Sequence, residues 1–433
     1  GRYCESQFEY AFLSFLEAEG WHYLHGNSIP RENKTAVLYA DDMEQFLSKT
    51  NADLTADEIH QIMDKVRLVG AESEFSTLHT VYGWMVDGVQ FVPQSGLARM
   101  VALIDFEHPE NNIFRVVNQF TVEYINNGQK ENRRPDILLY VNGMPLCIIE
   151  LKNPADANAT IFDAYEQITI RYWRDIPHLL HYCPLACISD GVKTRLGTVR
   201  TPYEHFYAWR RVNDGDKVST LPFDELETMI KGVYAPARFL EIFRDYIYFQ
   251  DHEYDSDEKE IVCRYPQFFA ARLLKQSIVK SVIEKSGKGG TYFGATGCGK
   301  TYTMGFLARQ LALRCTDVPE IGSPTIVMIV DREELQKQGA KLFTKSKEFL
   351  NLGEVSIVPT RKKLREELGA RESGGFYICT IQKFCDREDD KIGLINDRAN
   401  IICFSDEAHR TQIEHANRIK FSKDTDENMK AMV

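Results

Sequence analysis

The sequence predicts an α/β protein of two parts, in which a mixed sheet flanked by helices precedes a doubly wound parallel sheet. In the first part, two apolar runs joined by Asn142-Gly143 predict a β-hairpin, because a type I′ turn needs positive φ at both central residues. In the second part, strand patterns alternate with helical patterns, which favours a parallel sheet. We expect domains at residues 1–220 and 261–433, joined by a helical connector and an acidic linker at 221–260.

The composition excludes several protein classes. Hydrophobic residues make up 43% of the 433 residues and charged residues 27%, which is typical of a globular protein. No apolar stretch approaches about 18 residues and no signal region is present, so we expect a soluble, cytoplasmic protein that does not cross a membrane. The cysteines form no C-x-x-C motif, which predicts reduced thiols and no zinc site. The net charge of −11 indicates that any DNA contact uses local basic patches or partner subunits.

The first part begins with a helical pattern from Glu5 to Trp21, and Gly20 is a natural stop for this helix. The predicted apolar face of the helix comprises Phe8, Phe12, Phe15, Leu16 and Trp21. A second helical stretch covers residues 41–67, where Glu58 follows the Thr55 cap by three residues. Strand-like runs follow, namely FVPQSG, MVALIDF and FRVVNQFTVEYI. After the hairpin, ATIFDAYEQITIRYW predicts a helix and LACISDG a buried strand.

Three charged residues stand at one end of the predicted hairpin. Glu150 and Lys152 share a face, since side chains alternate along a strand, and Asp136 reaches that face from the partner strand if the register allows. An isolated Glu-x-Lys is usually a solvent-exposed cross-strand pair. Here the run IIELK is almost continuously apolar, as in a strand buried on both faces, so these charges need partners or a metal ion.

The second part follows a helical connector from Leu221 to Tyr248 and the acidic segment DHEYDSDEKE, which is typical of an exposed linker. YPQFFAARLLKQSIVKSVIEK predicts a helix, and GGTYFGATGCGKTYTM predicts a strand, a loop and a helix. Buried strands are predicted for PTIVMIVD, GGFYICTI and NIICFSDEAH.

The loop at residues 294–301, GATGCGKT, fits the phosphate-binding pattern G-x-x-x-x-G-K-[ST]. Backbone N–H groups of such a loop surround the phosphates of a nucleotide, Lys300 reaches the terminal oxygens and Thr301 can bind Mg²⁺. A glycine-rich turn with a chance lysine is the alternative, but a strand-like run precedes the loop and a helical pattern follows it. The predicted ATP-binding residues are Gly294, Thr296, Gly297, Gly299, Lys300 and Thr301.

Asp406 and Glu407 open the sequence DEAH at the end of a predicted buried strand. Carboxylates at the C-terminal end of a strand lie where ligands bind in open α/β sheets. We expect Asp406 to hold the magnesium ion of the nucleotide. Glu407 is expected to be the general base that orients the attacking water.

From about Tyr265 onward the chain resembles the first, RecA-like motor domain of superfamily 2 helicases and translocases. The P-loop, the DEAH box and the segments TIVMIVDREEL and CTIQKF carry this resemblance. It implies that Arg332, Thr380 and Gln382 face the DNA strand and that Gln267 reads the adenine. Such motors hydrolyse ATP between two RecA-like domains. We therefore expect an N-terminal fragment that binds nucleotide but is defective in turnover.

The hairpin, with RRPD followed by ELK, resembles a PD-(D/E)xK nuclease core. A nuclease of this type ahead of such a motor is the arrangement of the R (restriction and translocation) subunit of type I restriction-modification enzymes. The segments VNQFTVEY, SDGVKTRLGT and VDREELQKQ are also similar to that family, so the resemblance covers essentially the whole chain. It implies that Asp136 and Glu150 are metal ligands and that Lys152 positions the attacking water.

The same resemblance implies two further groups of site residues. Glu9 on the first helix matches an additional acidic metal ligand, with Glu5 as the alternative. The family also has a DNA-contacting Q-x-x-x-Y motif. In this chain Gln167 is followed by Tyr172 one position late, and Arg171 occupies the place of the tyrosine, so both residues stay open for that role.

Together, these features imply a Mg²⁺-dependent endonuclease that is coupled to ATP-dependent translocation and cleaves unmethylated double-stranded DNA. The implied partners are methyltransferase (M) and specificity (S) subunits, which would recognise the sequence and so fit the acidic charge of this chain. One alternative is a nuclease–helicase of DNA repair or of another restriction type, which would not depend on a methylation-sensitive site. The other is a nucleotide-gated DNA-binding scaffold with an inactive nuclease, whose activity Lys152→Ala would leave unchanged.

Overall fold

The computed structural model describes residues 5–70, 73–152, 160–218, 220–221, 224–250, 258–295, 297–331, 336–337, 339, 342–343, 347–351, 353, 355–385 and 391–406. The chain divides into two compact units, Gly1–Tyr265 and Pro266–Val433. The predicted α/β class is confirmed, with a mixed sheet in the first unit and a parallel sheet in the second. Among these residues, no helix combines the length and apolar character that a membrane span requires.

Helices form the N-terminal part of the first unit. They are α1 (Glu5–Ala18), α2 (Ala40–Thr50), α3 (Ala56–Arg67) and α4 (Glu74–Asp87). The predicted cap of α3 is confirmed, because Thr55 Oγ1 accepts a hydrogen bond from Glu58 N and the Glu58 carboxylate accepts one from Thr55 N. Helix α4 was not predicted.

The buried face of α1 differs from the prediction at one position. Phe8, Phe12 and Leu16 are buried, as expected, but Phe15 is 39% exposed. Phe15 lies at the edge of the apolar stripe, whose other edge is completed by the buried Leu13. The prediction for Phe15 is therefore wrong, because the helix is rotated toward Leu13.

A mixed sheet forms the core of the first unit. Its strands are β1 (His22–His25), β4 (Phe114–Asn118), β7 (Ile137–Val141), β8 (Met144–Leu151), β9 (Leu185–Ser189) and β10 (Thr194–Thr198). They pair in the order β1-β4-β7-β8-β9-β10. Every residue of β7, β8 and β9 is buried, which confirms that the hairpin lies inside the sheet.

Two small antiparallel sheets flank this core. They consist of β2 (Val89–Phe91) with β3 (Arg99–Val101), and of β5 (Val122–Asn126) with β6 (Gln129–Arg133). The predicted run FRVVNQFTVEYI is thus divided between β4 and β5. The division falls at Gln119, whose backbone has a φ of 54°.

The hairpin turn is buried and has the predicted geometry. Asn142 has a φ of 49° and Gly143 a φ of 79°, as a type I′ turn requires. The Asn142 side-chain amide donates hydrogen bonds to Leu103 O at 3.0 Å and to Asn112 Oδ1 at 2.8 Å. A Cβ atom at position 143 would overlap Tyr39 O. Only glycine therefore fits this turn without displacing the backbone.

Helical segments complete the first unit. They are α5 (Ile161–Glu166), a π-helical segment (Gln167–Tyr172), α6 (Trp173–Asp175), α7 (Pro177–Leu180), α8 (Asp224–Met229), a second π-helical segment (Ile230–Tyr234) and α9 (Pro236–Asp245). The hairpin of β11 (Ile247–Gln250) and β12 (Lys259–Val262) follows. Trp21 Nε1 donates to Tyr234 O at 2.6 Å, and Tyr82 Oη donates to Phe243 O at 2.7 Å. These bonds attach the predicted connector to α4 and to the segment between α1 and β1.

The second unit contains a parallel sheet. Its strands are β13 (Thr325–Val330), β14 (Val355–Ile357), β15 (Phe376–Thr380) and β16 (Ile401–Ser405), in the order β14-β15-β13-β16. Its helices are α10 (Tyr265–Glu284), α11 (Lys300–Leu313), α12 (Lys347–Leu350) and α13 (Arg361–Gly369). All of these strand pairs are parallel, as predicted.

The strand predicted ahead of the phosphate-binding loop is not formed. Residues 287–295 have no strand pairing, and Phe293 is 95% exposed. The apolar pair Tyr292-Phe293 lies between Gly290 and Gly294. Glycine weakens a strand because it loses more conformational freedom on folding than other residues do. The prediction of a strand at this position is wrong.

Candidate functional site

Asp136 and Glu150 lie next to each other at the open end of the buried hairpin. Strands β7 and β8 pair with Ile137 opposite Ile149, so Asp136 and Glu150 form the next pair outward. Asp136 Oδ2 accepts a hydrogen bond from Leu151 N at 2.8 Å. Lys152 Nζ lies 3.8 Å from Glu150 Oε1. The structure thus brings the three predicted residues together.

The electrostatic environment of this pair disfavours two negative charges. Burial raises the pKa of Glu150 well above its usual value, and the adjacent Asp136 carboxylate raises it further. Burial also raises the pKa of Asp136, the charge of Glu9 adds to this effect, and the Leu151 N–H and Lys152 oppose it. Two carboxylates facing one ammonium group leave an excess negative charge, which a bound cation would stabilise.

A chain of hydrogen bonds connects the π-helical segment to these charges. Lys152 Nζ donates to Gln167 Oε1 at 2.9 Å, and Gln167 Nε2 donates to Tyr172 Oη at 2.8 Å. Tyr172 Oη in turn donates to Glu150 Oε2 at 3.1 Å. The four side chains therefore close a ring through the Lys152–Glu150 ion pair. We call these residues, Glu150, Lys152, Gln167 and Tyr172, the polar ring.

The π-helical geometry explains how Tyr172 enters the polar ring. A π-helix pairs residues five apart, so Gln167 and Tyr172 come together despite the additional residue between them. Tyr172 is buried, whereas Arg171 is exposed. Of the two residues left open by the sequence, Tyr172 is the one beside Gln167. Contact of Gln167 or Tyr172 with DNA remains a prediction.

In the part of the chain that the structure describes, Glu9 is held by amide groups rather than by a basic side chain. Asn118 Nδ2 donates to Glu9 Oε1 at 2.7 Å, and Gln119 Nε2 lies 3.1 Å from each Glu9 oxygen. Among the described residues, no three His, Cys, Asp or Glu side chains lie close enough together to hold a metal ion. Glu9 is therefore near the Asp136–Glu150 pair without joining it in one compact cluster.

The phosphate-binding loop precedes helix α11, which begins at Lys300 and Thr301. Gly297 has a φ of 79° and Gly299 a φ of 82°, a left-handed conformation that favours glycine. The N-terminus of α11 provides N–H groups and positive potential for a phosphate. Lys300 and Thr301 thus lie where the sequence predicts, and Thr296 lies outside the described residues.

Gln267, which the sequence predicts to read adenine, is buried against the loop. Its Nε2 donates to Gly299 O at 3.1 Å and to Cys298 O at 3.3 Å. A Cβ atom at position 299 would overlap this amide nitrogen. Gln267 therefore supports the loop backbone directly, and contact with an adenine remains a prediction.

The remaining residues predicted for a motor domain lie at the C-terminal ends of neighbouring parallel strands. Asp406 follows β16, and its N–H donates to Ile329 O at 2.9 Å. Thr380 ends β15 and is buried, with Lys383 Nζ bonded to its hydroxyl at 3.2 Å. Gln382 is exposed and donates to Asp331 O at 2.9 Å. The predicted residues Arg332 and Glu407 lie outside the described residues.

Comparison with known proteins finds a family match for each of the two parts of the chain. Residues 3–205 match the family described as type I restriction enzyme R protein N terminus (HSDR_N), and residues 266–433 match the SWI2/SNF2 ATPase family. The chain is 31% identical, over 97% of its length, to the type I restriction enzyme HindI endonuclease subunit of Haemophilus influenzae. The chain belongs to the type I restriction enzyme R protein family.

Other members of the R protein family are more distant. The putative type I restriction enzyme MjaIXP endonuclease subunit of Methanocaldococcus jannaschii is 28% identical over 93% of this chain. The SauCOLORF180P endonuclease subunit of Staphylococcus aureus is 24% identical over 90% of this chain. The chain spans 40%, 39% and 38% of the length of these three relatives.

For this member of the R protein family, sequence reasoning missed the role of Asn118 and Gln119. Asn118 ends β4 and Gln119 follows it, and both bond to Glu9, which is more than a hundred residues away in the chain. Their only local signal is a pair of amides in the middle of the strand-like run FRVVNQFTVEYI, with no apparent reason for a polar pair there. That interruption could have marked them as candidates.

Proposed function

We propose that the first unit is a Mg²⁺-dependent endonuclease that cleaves double-stranded DNA, and that the second unit is an ATP-dependent translocase. The observation that carries the nuclease proposal is the polar ring beside Asp136, because it combines paired carboxylates with an ammonium group in a buried position. Membership in the R protein family supports the same activity. We propose that residues 1–220 form the nuclease domain, residues 221–260 the connector and linker, and residues 261–433 the motor domain.

The residues at the end of the hairpin fit a divalent cation. Carboxylate oxygens are the ligands that Mg²⁺ prefers, and burial of the Asp136–Glu150 pair disfavours their negative charge unless a cation is present. Asp136 and Glu150 would hold the ion. When bound, it would stabilise the charge that develops at a scissile phosphate.

Among the other members of the polar ring, Lys152 acts on the attacking water, while Gln167 and Tyr172 position the charged residues. Lys152 orients this water and adds positive charge near the phosphate. Gln167 accepts a hydrogen bond from Lys152 and so limits the positions of the ammonium group. Tyr172 donates to Glu150 and orients that carboxylate. The exposed Arg171 is available for the DNA backbone.

For the second unit we propose that ATP binds at the phosphate-binding loop. Lys300 would contact the terminal phosphates, while Thr301 and Asp406 would hold the magnesium ion of the nucleotide. Glu407 would be the general base, and Arg332, Thr380 and Gln382 would face the DNA strand. Thr380 would have to become exposed first, since Lys383 covers its hydroxyl.

We further propose that M and S subunits supply sequence recognition in a cytoplasmic complex. The net charge of −11 supports this division of labour, because a subunit that recognised DNA by itself would be expected to be basic. The names of the relatives, type I restriction enzyme endonuclease subunits, support it as well.

The experiment uses the full-length R subunit with its M and S subunits and circular DNA that carries the recognition site. We expect cleavage of unmethylated DNA that requires both Mg²⁺ and ATP and that Lys300→Ala abolishes. Lys288→Ala, an exposed lysine outside the loop, is the matched control. Cleavage that depends neither on the methylation of the DNA nor on ATP would contradict the type I assignment and favour an independent nuclease.

A further inference from the structure

Glu9 carries three hydrogen bonds from neutral amides, which is an unusual environment for a carboxylate near two others. Asn118 Nδ2 donates at 2.7 Å, and Gln119 Nε2 lies 3.1 Å from both carboxylate oxygens. A basic partner would neutralise Glu9, whereas amides fix its position and leave its negative charge available. The arrangement therefore favours an interaction of Glu9 with a bound cation.

The backbone of Gln119 is bent to make these contacts. Its φ of 54° lies in the left-handed region, which residues other than Gly, Asn and Asp adopt infrequently. From this position the Gln119 N–H donates to Asp136 O at 3.3 Å while the side chain reaches Glu9. One residue thus contacts both the Asp136 backbone and the Glu9 carboxylate. Such strain persists where the surrounding structure enforces it, often at functional sites.

The orientation of Asn118 is fixed from the other side. Asn118 is 5% exposed, and its Oδ1 accepts a hydrogen bond from Tyr23 Oη at 3.0 Å. Because the oxygen of the amide is bonded to Tyr23, its nitrogen points to Glu9. Tyr23 belongs to β1, which pairs with β4 in parallel. The sheet itself therefore holds the amide in the donating orientation.

We propose that Gln119 and Asn118 form an amide clamp that positions Glu9 toward the cation held by Asp136 and Glu150. Gln119 is a positioning residue, because it acts through Glu9. Glu9 would add a third carboxylate to the surroundings of that cation. This inference rests on the proposed metal-dependent nuclease function.

Two variants of Gln119 separate the clamp from the backbone strain. Gln119→Gly removes the amide and tolerates the left-handed conformation. Gln119→Asn also suits that conformation and keeps an amide, but the side chain is one methylene too short to reach Glu9 in the same way. Asn127→Gly is the matched control, since Asn127 has a similar φ of 49° in the exposed turn between β5 and β6.

The test measures Ca²⁺ binding to the full-length R subunit by calorimetry without nucleotide, alongside thermal unfolding. We expect Gln119→Gly, Gln119→Asn and Glu9→Gln each to weaken binding about tenfold, the range typical of residues that orient metal ligands. The double variant Gln119→Gly/Glu9→Gln should bind no more weakly than Glu9→Gln alone, because the clamp acts only through Glu9. Asn127→Gly should bind like the wild type.

Two results would overturn the inference, and they differ in what else they overturn. Ca²⁺ binding that Asp136→Asn abolishes but Gln119→Gly leaves unchanged contradicts the amide clamp and leaves the nuclease site intact. A wild-type protein whose Ca²⁺ binding is unaffected by Asp136→Asn contradicts both the metal site and the clamp.

Discussion

The hydroxyl of Tyr172 donates a hydrogen bond to Glu150 across 3.1 Å, although Tyr172 stands one position later than the Q-x-x-x-Y spacing requires. The π-helical segment from Gln167 to Tyr172 accommodates the additional residue and returns the tyrosine to the carboxylate. The consequence is a direct link between a residue of the predicted DNA-contacting motif and a proposed metal ligand. Because of this link, the role of the Tyr172 hydroxyl can be tested separately from that of its ring.

Tyr172→Phe is expected to lower cleavage at neutral pH about tenfold, as loss of a partner that orients a metal ligand typically does. The Tyr172 hydroxyl lowers the pKa of Glu150 against the larger effect of burial, so its removal raises that pKa further. Because the ionised carboxylate binds the cation, the acid limb of the pH profile of cleavage should move to higher pH. Tyr165→Phe, on the same helical stretch, is the control. An unshifted acid limb for Tyr172→Phe would contradict this role.

Glu150→Gln is expected to stabilise the protein in the absence of divalent cations at neutral pH. The pKa of Glu150 is raised in the folded state, so its contribution to stability is fully present below the unfolded pKa and is lost as pH rises toward the folded pKa. Glutamine avoids this loss. A gain of about 1 kcal/mol would raise the melting temperature by roughly 2–4 °C.

Thermal unfolding as a function of pH checks this prediction. The difference between Glu150→Gln and wild type should disappear below about pH 4.5, near the ordinary value for glutamate. Ca²⁺ should raise the melting temperature of the wild type but not that of Glu150→Gln. Glu17→Gln, at an exposed position of α1, should behave like the wild type in both measurements. A Glu150→Gln variant less stable than wild type at pH 7 without cations would contradict the electrostatic account.

Gly143→Ala is expected to destabilise the first unit strongly, because position 143 requires positive φ and a Cβ atom there would overlap Tyr39 O. Gly128→Ala is a close control. Gly128 has the same φ of 79° in an Asn-Gly turn, but a Cβ atom there meets nothing within 4 Å. Chemical denaturation should show a loss of about 1–3 kcal/mol for the control and a larger loss for Gly143→Ala. An equal loss of unfolding free energy in the two variants would contradict a steric effect of the buried surroundings of Gly143.

Gly299→Ala is expected to weaken ATP binding more than tenfold, because the new Cβ atom would overlap the amide of Gln267 and the φ of 82° is unfavourable for alanine. Gly287→Ala, with a φ of 65° and open space, is the control. Fluorescent-nucleotide titration of the full-length chain measures the effect. If the overlap with Gln267 causes the loss, Gly299→Ala should cost less affinity in a Gln267→Ala background than in the wild type. An equal loss in both backgrounds would contradict the steric explanation.

Local signals were sufficient for the hairpin and for the phosphate-binding loop. Asn142-Gly143 predicts its turn because few other residue pairs adopt positive φ twice in succession. The pairing of Asp136 with Glu150 does not follow from that turn alone, because a β-bulge between Leu139 and Tyr140 shifts the register of the two strands by one residue. The spacing of Gly294, Gly299 and Lys300 likewise predicts a loop before a helix.

The features that the sequence did not predict depend on distant contacts. Helix α4 contains β-branched and aromatic residues that favour strands, and its helical form is stabilised by burial of Phe75, Leu78 and Tyr82. The π-helical geometry that brings Tyr172 to Glu150 has no local sequence pattern. Gln119 bends because Glu9 and Asp136 lie on either side of it. The prediction of a strand before the phosphate-binding loop is wrong because a strand-like sequence does not by itself provide a neighbouring strand with which to pair.

The most direct test of the nuclease site is DNA cleavage by the Lys152→Ala variant of the full-length R subunit in complex with its M and S subunits. Lys193→Ala, an exposed lysine in the same unit, is the control. We expect Lys152→Ala to lower the cleavage rate by about 100-fold or more, while ATP hydrolysis on the same DNA stays unchanged. Cleavage by Lys152→Ala at the wild-type rate would contradict the assignment of the hairpin as the nuclease site.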